Sequence, residues 1–412
     1  GRLFPVEVCY RPPRRREEDG DDGDELSLTA AVVDACDEAS RRGPGHVLVF
    51  LPGEREIREV AEALRKHHPP GTEILPLFSR LSAGEQERVF ENTSARRIVL
   101  STNVAETSLT VPGIRYVVDT GLARINRYSY RNKVEQLLVE KISQASANQR
   151  SGRCGRVMSG VCFRLYDEAE FEARPAYTDP ELLRSSLAGV ILRMKSLDLG
   201  DVELFPFLDP PQPRMINDGY QLLAELGAVD DTRRLTPVGR ELARLPIDPR
   251  IGRMVLEAKR QDCLSEVLVL AAALSIQDPR ERPVDRAQTA DQRHAQFRDE
   301  RSDFAGLLKL WQFYDAMIKH KKSNRMLAQS LRDQFLSPLR MREWREVHGQ
   351  LHAMLAETGA RFNSEDAGYE RIHRALLSGL LGNIGSKNEE GDYDGARGIR
   401  FAIHPSSGLR KR

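Results

Sequence analysis

Two hydrophobic rhythms alternate along the first part of the chain. "GRLFPVEVCY" (1–10) switches between apolar and polar positions as an extended strand does. "RPPRRREEDGDDGDE" (11–25) has no period and is dense in Pro, Gly and charge, so a mobile loop is expected there. Helical spacing then begins in "LTAAVVDACDEASRR" (28–42) and returns in "EREIREVAEALRKHH" (54–68), where Ile57, Val60, Ala61 and Leu64 form one stripe. Between these helices "GHVLVFLPG" (45–53) is continuously apolar and ends in Pro-Gly, the pattern of a strand buried on both faces. Strands are expected again at 72–78, 97–102, 114–121 and 160–167, with a helix over 83–91. Strands alternating with helices in this way predict a parallel sheet covered on both sides, with ligands gathered at the carboxyl ends of its strands. Gly53, Ser101, Thr102 and Asp119 fall at those ends.

Beyond Asp167 the pattern turns helical. Residues 168–248 read as mostly helical, with a turn at "FPFLDPPQPR" and a short strand-helix unit at "RRLTPVGRELARLP". Residues 249–365 read as all-helical, with Phe304, Leu307, Leu308, Trp311 and Met317 or Ile318 marking one buried stripe. The last stretch, 366–412, becomes β-like at "RGIRFAIHPSSG" and reads as the beginning of a domain. No internal repeat is present. The fold class expected is α/β followed by α.

A chain of 412 residues holds two to four domains by size. Its 62 Lys+Arg balance 61 Asp+Glu, so the net charge of +1 gives no support to a nucleic-acid binder. Local charge does. From Gly121 to Tyr166 nine Lys/Arg face only Glu135 and Glu140, an excess of seven positive charges suited to phosphates. Five cysteines without a C-x-x-C pair argue against a zinc site or a disulfide framework. With no apolar run of membrane length and no signal peptide at residues 1–10, a soluble, cytoplasmic protein with no membrane partner is expected.

The charge excess centres on "QRSGRCGR" (149–156), three arginines and two glycines in eight positions. Clustered guanidiniums repel one another unless an anion sits among them. Gly152 and Gly155 remove side chains, so that Gln149, Arg153 and Arg156 project at one pole of a helix. Upstream, "STNVAETSLT" offers Ser101, Thr102 and Asn103, short hydrogen-bonding side chains suited to a sugar-phosphate backbone. Taken in order, "LVFLPGEREI" (48–57), "LFSRLSAGEQERVF" (77–90), "STNVAETSLTVPGIRYVVDTG" (101–121) and "QRSGRCGR" resemble the second RecA-like domain of the DEAH/RHA group of superfamily 2 RNA helicases. "LTPVGRELARLPIDPR" (235–250) and "SPLRMREW" (337–344) are similar to the bacterial HrpA-type branch, and the resemblance covers nearly the whole chain.

The resemblance implies roles. Arg153 and Arg156 become arginine fingers for the γ-phosphate of ATP, and Gln149 helps place the water. Such a finger is worth roughly 10³–10⁵ in rate, or about 4–7 kcal/mol. Arg150 is expected to be structural, paired to a local carboxylate or carbonyl, and Cys154 a small buried thiol. Phe90 reads on pattern alone as a core aromatic; by resemblance it stacks the adenine against an arginine of the first domain. Asp119 is expected at a ribose hydroxyl, or as a turn-forming Asp before Thr-Gly, and Thr107 belongs to the same nucleotide-binding set. Gly53, Ser101, Thr102 and Asn103 are expected to hold single-stranded RNA. Arg80 either adds a phosphate contact or is simply solvated. The segment 123–143 reads as a hairpin around "SYRN", with Arg124, Arg127 and Arg131 as candidate RNA contacts.

No G-x-x-x-x-G-K-[ST] occurs in the sequence, and "DEAS" at 37–40 sits inside a helical pattern instead of at a strand end. The phosphate cradle and the ligands for Mg²⁺ are therefore expected on a first RecA-like domain outside this chain, with residues 1–25 as linker and charged loop. The implied order is the second RecA-like domain (26–167), a winged-helix-like domain (168–248), a helical ratchet-like domain (249–365) and the start of an OB-fold-like domain (366–412). The reading is part of an ATP-dependent RNA helicase, monomeric, using ATP with Mg²⁺ on single-stranded or structured RNA and inactive as this chain alone. The alternative is a non-catalytic nucleic-acid-binding or regulatory module that keeps the fold. Such a module has no need of Gln149 and two glycine-spaced arginines aimed at a neighbouring domain.

Overall fold

The computed structural model describes residues 4–13, 27–67, 71–91, 93–130, 134–320 and 323–410. Most of the loop expected over 11–25 lies outside them. The chain divides into two compact units, one of residues 1–127 with 135–180, the other of residues 128–134 with 181–412.

The first unit is built on six parallel strands in the order β1-β8-β5-β2-β4-β3. Its elements are β1 (Val6–Tyr10), α1 (Leu28–Arg41), β2 (His46–Phe50), α2 (Glu54–His67), β3 (Thr72–Leu77), α3 (Ala83–Glu87), β4 (Arg96–Ser101), α4 (Val104–Thr107), β5 (Ile114–Asp119), the hairpin strands β6 (Leu122–Ser129) and β7 (Val134–Lys141), α5 (Gln144–Ser151), β8 (Gly160–Arg164) and α6 (Glu168–Glu172). Alternate residues of each central strand enter opposite cores. Val47, Val49, Ile98, Leu100, Tyr116 and Val118 pack with α1 and α2 on one face. Leu48, Phe50, Val99 and Val117 pack with Val89, Ala105 and Cys154 on the other. That two-sided burial is why "HVLVF" carries no polar alternation. Each such side chain contributes roughly 1.5–3 kcal/mol.

Two expectations shift here. The helix expected over 83–91 stops at Glu87, where a 3-10 turn, Arg88–Phe90, takes over and carries Val89 into the core. The "DEAS" stretch lies within α1, where Glu38 accepts hydrogen bonds from Arg11 and Arg42 at 2.8 and 3.1 Å.

The first unit also extends past Asp167 to Pro180. Buried Arg174 donates to the carbonyls of Gly121 and Ile142 at 2.8 and 3.1 Å, and the first amides of α5 bond the carbonyls of Pro175 and Ala176. These bonds hold residues 168–180 to the sheet domain.

In the second unit α7 (Ala188–Ser196), α8 (Pro213–Glu225) and α9 (Pro237–Leu242) surround one core, with a Val229–Leu235 β-bridge at the expected strand-helix unit. A second core gathers α10 (Pro249–Arg260), α11 (Leu264–Leu274), α13 (Asp303–Lys319), α14 (Asn324–Asp333), α15 (Pro338–Glu357) and α16 (Tyr369–Leu377), while α12 (Ala287–His294) gives it no side chain. Helix α10 serves both, giving Leu256 to the first and Met254 and Val255 to the second. On α13 the fully buried positions are Leu310 and Tyr314, whereas Phe304, Leu307, Leu308, Trp311, Met317 and Ile318 are half-buried around them. Trp344 of "SPLRMREW" is completely buried, its indole N–H donating to Val269 O at 2.9 Å. An Arg280–Leu336 bridge interrupts the region expected to be all-helical. The tail forms a small antiparallel sheet of β9 (Gly385–Lys387), β10 (Tyr393–Gly395) and β11 (Arg400–Phe401), too short by itself to make an OB-fold. Among the described residues no helix is long and apolar enough to cross a membrane.

Candidate nucleotide and nucleic-acid site

Helix α5 starts at Ser143, whose hydroxyl accepts from Ser146 N at 3.2 Å, and ends at Gly152. Just before that end, Arg150 is 0% exposed. Its Nε donates to Glu106 Oε2 of α4 at 2.9 Å, its Nη1 to Asp119 Oδ1 at the end of β5 at 2.8 Å, and its Nη2 to Leu122 O at 3.1 Å. The guanidinium also lies 4.8 Å from the Phe50 ring. Burial opposes this charge, but Asp119 and Glu106 outweigh it, and the Arg150 pKa is raised above its ordinary value. Asp119 is occupied on both oxygens, since Gly121 N donates to Oδ1 at 2.9 Å and Tyr166 OH to Oδ2 at 2.8 Å. Burial, followed by the Asp119 charge, pushes the Tyr166 phenol up. One buried network thus ties α4, α5 and the ends of β5 and β8 together.

Past Gly152 the chain turns through Gly155 at φ +73°, a left-handed conformation that favours glycine. Cys154 is buried and donates to Ser151 O at 3.2 Å; a Cβ on Gly160 would lie 2.7 Å from its sulfur. This packed turn carries Arg153 and Arg156. Neither forms an ion pair with a described carboxylate. Arg156 Nη1 donates to Thr110 Oγ1 at 3.1 Å, and Arg153 Nε is buried without a hydrogen-bond partner. Burial, then the charge of Arg156, lowers the Arg153 pKa. Gln149, exposed, sits on the last turn of α5 beside them. Two adjacent guanidiniums in no ion pair among the described residues, with Glu106 the one carboxylate acting on Arg153 from a distance, are a site for an anion with several oxygens.

At the end of β4, Thr102 N donates to Leu77 O at 3.2 Å, and Asn103 is exposed at the start of α4. Gly53 opens α2, and a Cβ there would lie 2.9 Å from Glu56 Oε2 and 3.0 Å from Arg124 Cζ. Arg124 Nη2 stands 3.8 Å from Glu56 Oε1, and exposed Arg80 stands 3.8 Å from Glu54.

Residues 30–158 match the helicase conserved C-terminal domain, while residues 220–247 and 248–310 match the winged-helix and ratchet-like parts of the helicase associated domain (HA2). The chain is 52% identical over 418 residues to ATP-dependent RNA helicase HrpA of Escherichia coli (strain K12), an alignment covering 100% of this chain and 32% of that protein. It is 34% identical over 424 residues to the human probable ATP-dependent RNA helicase DHX35, covering 99% of this chain and 58% of that one. The crystal structure of the E. coli DExH-box NTPase HrpB superimposes with a TM-score of 0.71 at 27% identity, over 98% of this chain and 43% of that one. The chain belongs to the DEAH/RHA helicase family. It spans about a third of the length of the HrpA relatives it matches.

Against the family's motifs, the structure places Gln149 on the last turn of α5 and Arg153 and Arg156 on the turn that follows it, with Thr102, Asn103 and Gly53 at neighbouring strand ends. Three expected contacts are corrected. Asp119 is 0% exposed and bonded to Arg150, Tyr166 and Gly121 N, so of its two readings it is the turn-forming Asp, and it anchors the arginine helix instead of meeting a ribose. Ser101 is equally buried and gives its hydroxyl proton to Thr102 O at 2.8 Å, which leaves half-buried Thr102 and exposed Asn103 as the accessible part of "STN". Arg127 is engaged by Glu140 on both sides of its fork and by Asp179 at 3.2 Å, so it braces the hairpin. Arg131 lies outside the described residues. Thr107 is exposed on α4, 3.5 Å from the Ser108 hydroxyl. Phe90 is no core aromatic: its ring is 39% exposed while Val89 fills the core at 1%. All five cysteines are buried and free. Glu106 and Tyr166 escaped sequence reasoning, since nothing in their local pattern marks them as partners of an arginine 44 residues away and an aspartate 47 residues away.

Proposed function

We propose that the chain works as the nucleotide-sensing and RNA-gripping half of an ATP-dependent RNA helicase of the DEAH type. Arg153 and Arg156 are its arginine fingers. The supporting observation is their state: two guanidiniums in no ion pair among the described residues, on a glycine-shaped turn backed by the buried Arg150–Glu106–Asp119 network. The incoming anion is the γ-phosphoryl group of ATP presented by a second, P-loop-bearing domain. The forks neutralise the charge that spreads over its equatorial oxygens in the transition state, and Gln149 orients the attacking water. The ligands of the nucleotide's Mg²⁺ are assigned to that other domain. Phe90 stacks the base. Thr102, Asn103, Gly53 and Arg124 hold the RNA backbone without reading sequence, and Arg80 adds a phosphate contact. Beyond residue 180, the regions up to 248, 249–365 and 366–412 act as winged-helix, ratchet and OB-like parts of a monomer.

RNA-stimulated phosphate release by the full-length protein tests this reading. Arg153→Ala and Arg156→Ala are each expected to lower kcat by roughly 100-fold or more, with little change in nucleotide affinity or melting temperature. Variants that melt early yet keep kcat would show the arginines to be structural.

A further inference from the structure

Phe90 is held at the surface by an unusual arrangement. The 3-10 turn Arg88–Phe90 has no side-chain cap of its own, and a single turn of this kind is weak in isolation. It is held from behind by Arg97, near the start of β4 and only 6% exposed. Arg97 Nη1 donates to Val89 O at 3.3 Å and also to Glu91 O, so one guanidinium nitrogen grips the carbonyls on either side of Phe90. The guanidinium is itself fixed: its Nε donates at 2.6 Å to Glu73, its register partner on β3. With Val89 anchored in the core, the backbone on both flanks of Phe90 is pinned and the ring cannot fold back onto apolar surface.

We propose that Arg97 is a positioning residue for nucleotide binding, presenting Phe90 as a preformed platform for the base. The inference rests on the reading of Phe90 as the stacking residue. A platform ordered before binding loses less conformational freedom when the base arrives, which raises affinity without touching the chemistry. Positioning and mere structural support therefore leave different signatures. Support alone, when lost, lowers the active fraction and hence kcat, with KM for ATP unmoved. Lost positioning raises KM and spares kcat.

The test is a double-mutant cycle in the full-length protein at saturating RNA, with KM and kcat for ATP measured in each variant. Phe90→Ala is expected to raise KM roughly tenfold, the scale of one lost base–aromatic stack. Arg97→Met keeps the aliphatic stem and removes the donors; it is expected to raise KM about three- to tenfold with kcat within about twofold. Arg97→Lys falls between, because an ammonium reaches a carbonyl but cannot also hold Glu73 as a planar fork does. The double variant Phe90→Ala/Arg97→Met should be no worse than Phe90→Ala, since the platform is already gone. Losses that add, or a fall in kcat at constant KM, overturn the inference. If Phe90→Ala itself leaves KM unchanged, the stacking role fails first and the inference falls with it. Should Arg97→Met not fold, Arg97→Lys carries the same cycle.

Discussion

Replacing Arg150 with methionine isolates what the buried network contributes. The substitution keeps a stem of similar length against Phe50 but removes the donors to Glu106, Asp119 and Leu122 O. Asp119 retains Gly121 N and Tyr166 OH, so Glu106, 8% exposed, is left most exposed to the loss. Removing one partner of a buried ion pair costs about 3–5 kcal/mol, because a charge stays behind in a dry interior. At roughly 2–4 °C per kcal/mol for a domain of this size, the melting temperature should fall by roughly 6–20 °C. Circular-dichroism melts at pH 8 measure the deficit. Arg150→Met/Glu106→Gln/Asp119→Asn should recover part of it. A variant that melts within about 2 °C of the parent, or a triple variant no more stable than Arg150→Met, would refute the electrostatic account.

Three further outcomes are expected. Arg153→Lys and Arg156→Lys in the full-length protein should rescue turnover poorly over the alanine variants, because an ammonium cannot span two phosphoryl oxygens; recovery of most of kcat would point to charge alone. This chain by itself should bind single-stranded RNA weakly, with log K against log[salt] falling by roughly 0.7 per phosphate neutralised, and strong discrimination between homopolymers in fluorescence anisotropy would count against backbone recognition. Burial, with smaller contributions from His352 and Arg345, pushes His348 down to about 4 from its ordinary 6.5. The unfolded chain therefore takes up this proton first, and as pH falls from about 6.5 toward 4 stability is lost, by at most about 3 kcal/mol. Urea melts of His348→Gln should be flatter over that window than those of the parent, and equal slopes would remove His348 as the cause.

The order of strands and helices in the first unit was legible because its central strands are buried on both faces and have no polar alternation to confuse. The structural role of Arg150 was legible too, because the family resemblance reserves the last two arginines of the motif for phosphate. Its partners were not. Glu106 and Asp119 lie 44 and 31 positions away, and a one-dimensional pattern does not tell a carboxylate that turns inward from one that meets a ligand. Asp119 was left with two readings for that reason, a ribose contact or a turn, and the fold uses the turn. On α13 the apolar stripe is broad, and spacing alone does not separate its centre, Leu310 and Tyr314, from flanking Trp311 and Leu307. The limit of the first unit at Pro180 depends on bonds from Arg174 to distant carbonyls, invisible before the chain is folded.

The edge position of β1 bears on how the protein emerges from the ribosome. Among the described residues its partner in the sheet is β8, with Val6 opposite Gly160, so that pairing waits through 154 further residues. At about 5–20 residues per second that interval lasts roughly 8–30 s. The remaining strands can zip in the meantime, since β2 to β5 are complete by Asp119. Closure by β8 is thus a late, long-range event of the kind that slows folding. It also brings in Arg164, whose guanidinium stacks over Phe171 and bonds Asn148 of the arginine helix. Completion of the sheet and final seating of the helix that carries the fingers are therefore one step, and a nascent chain stalled before residue 160 holds neither.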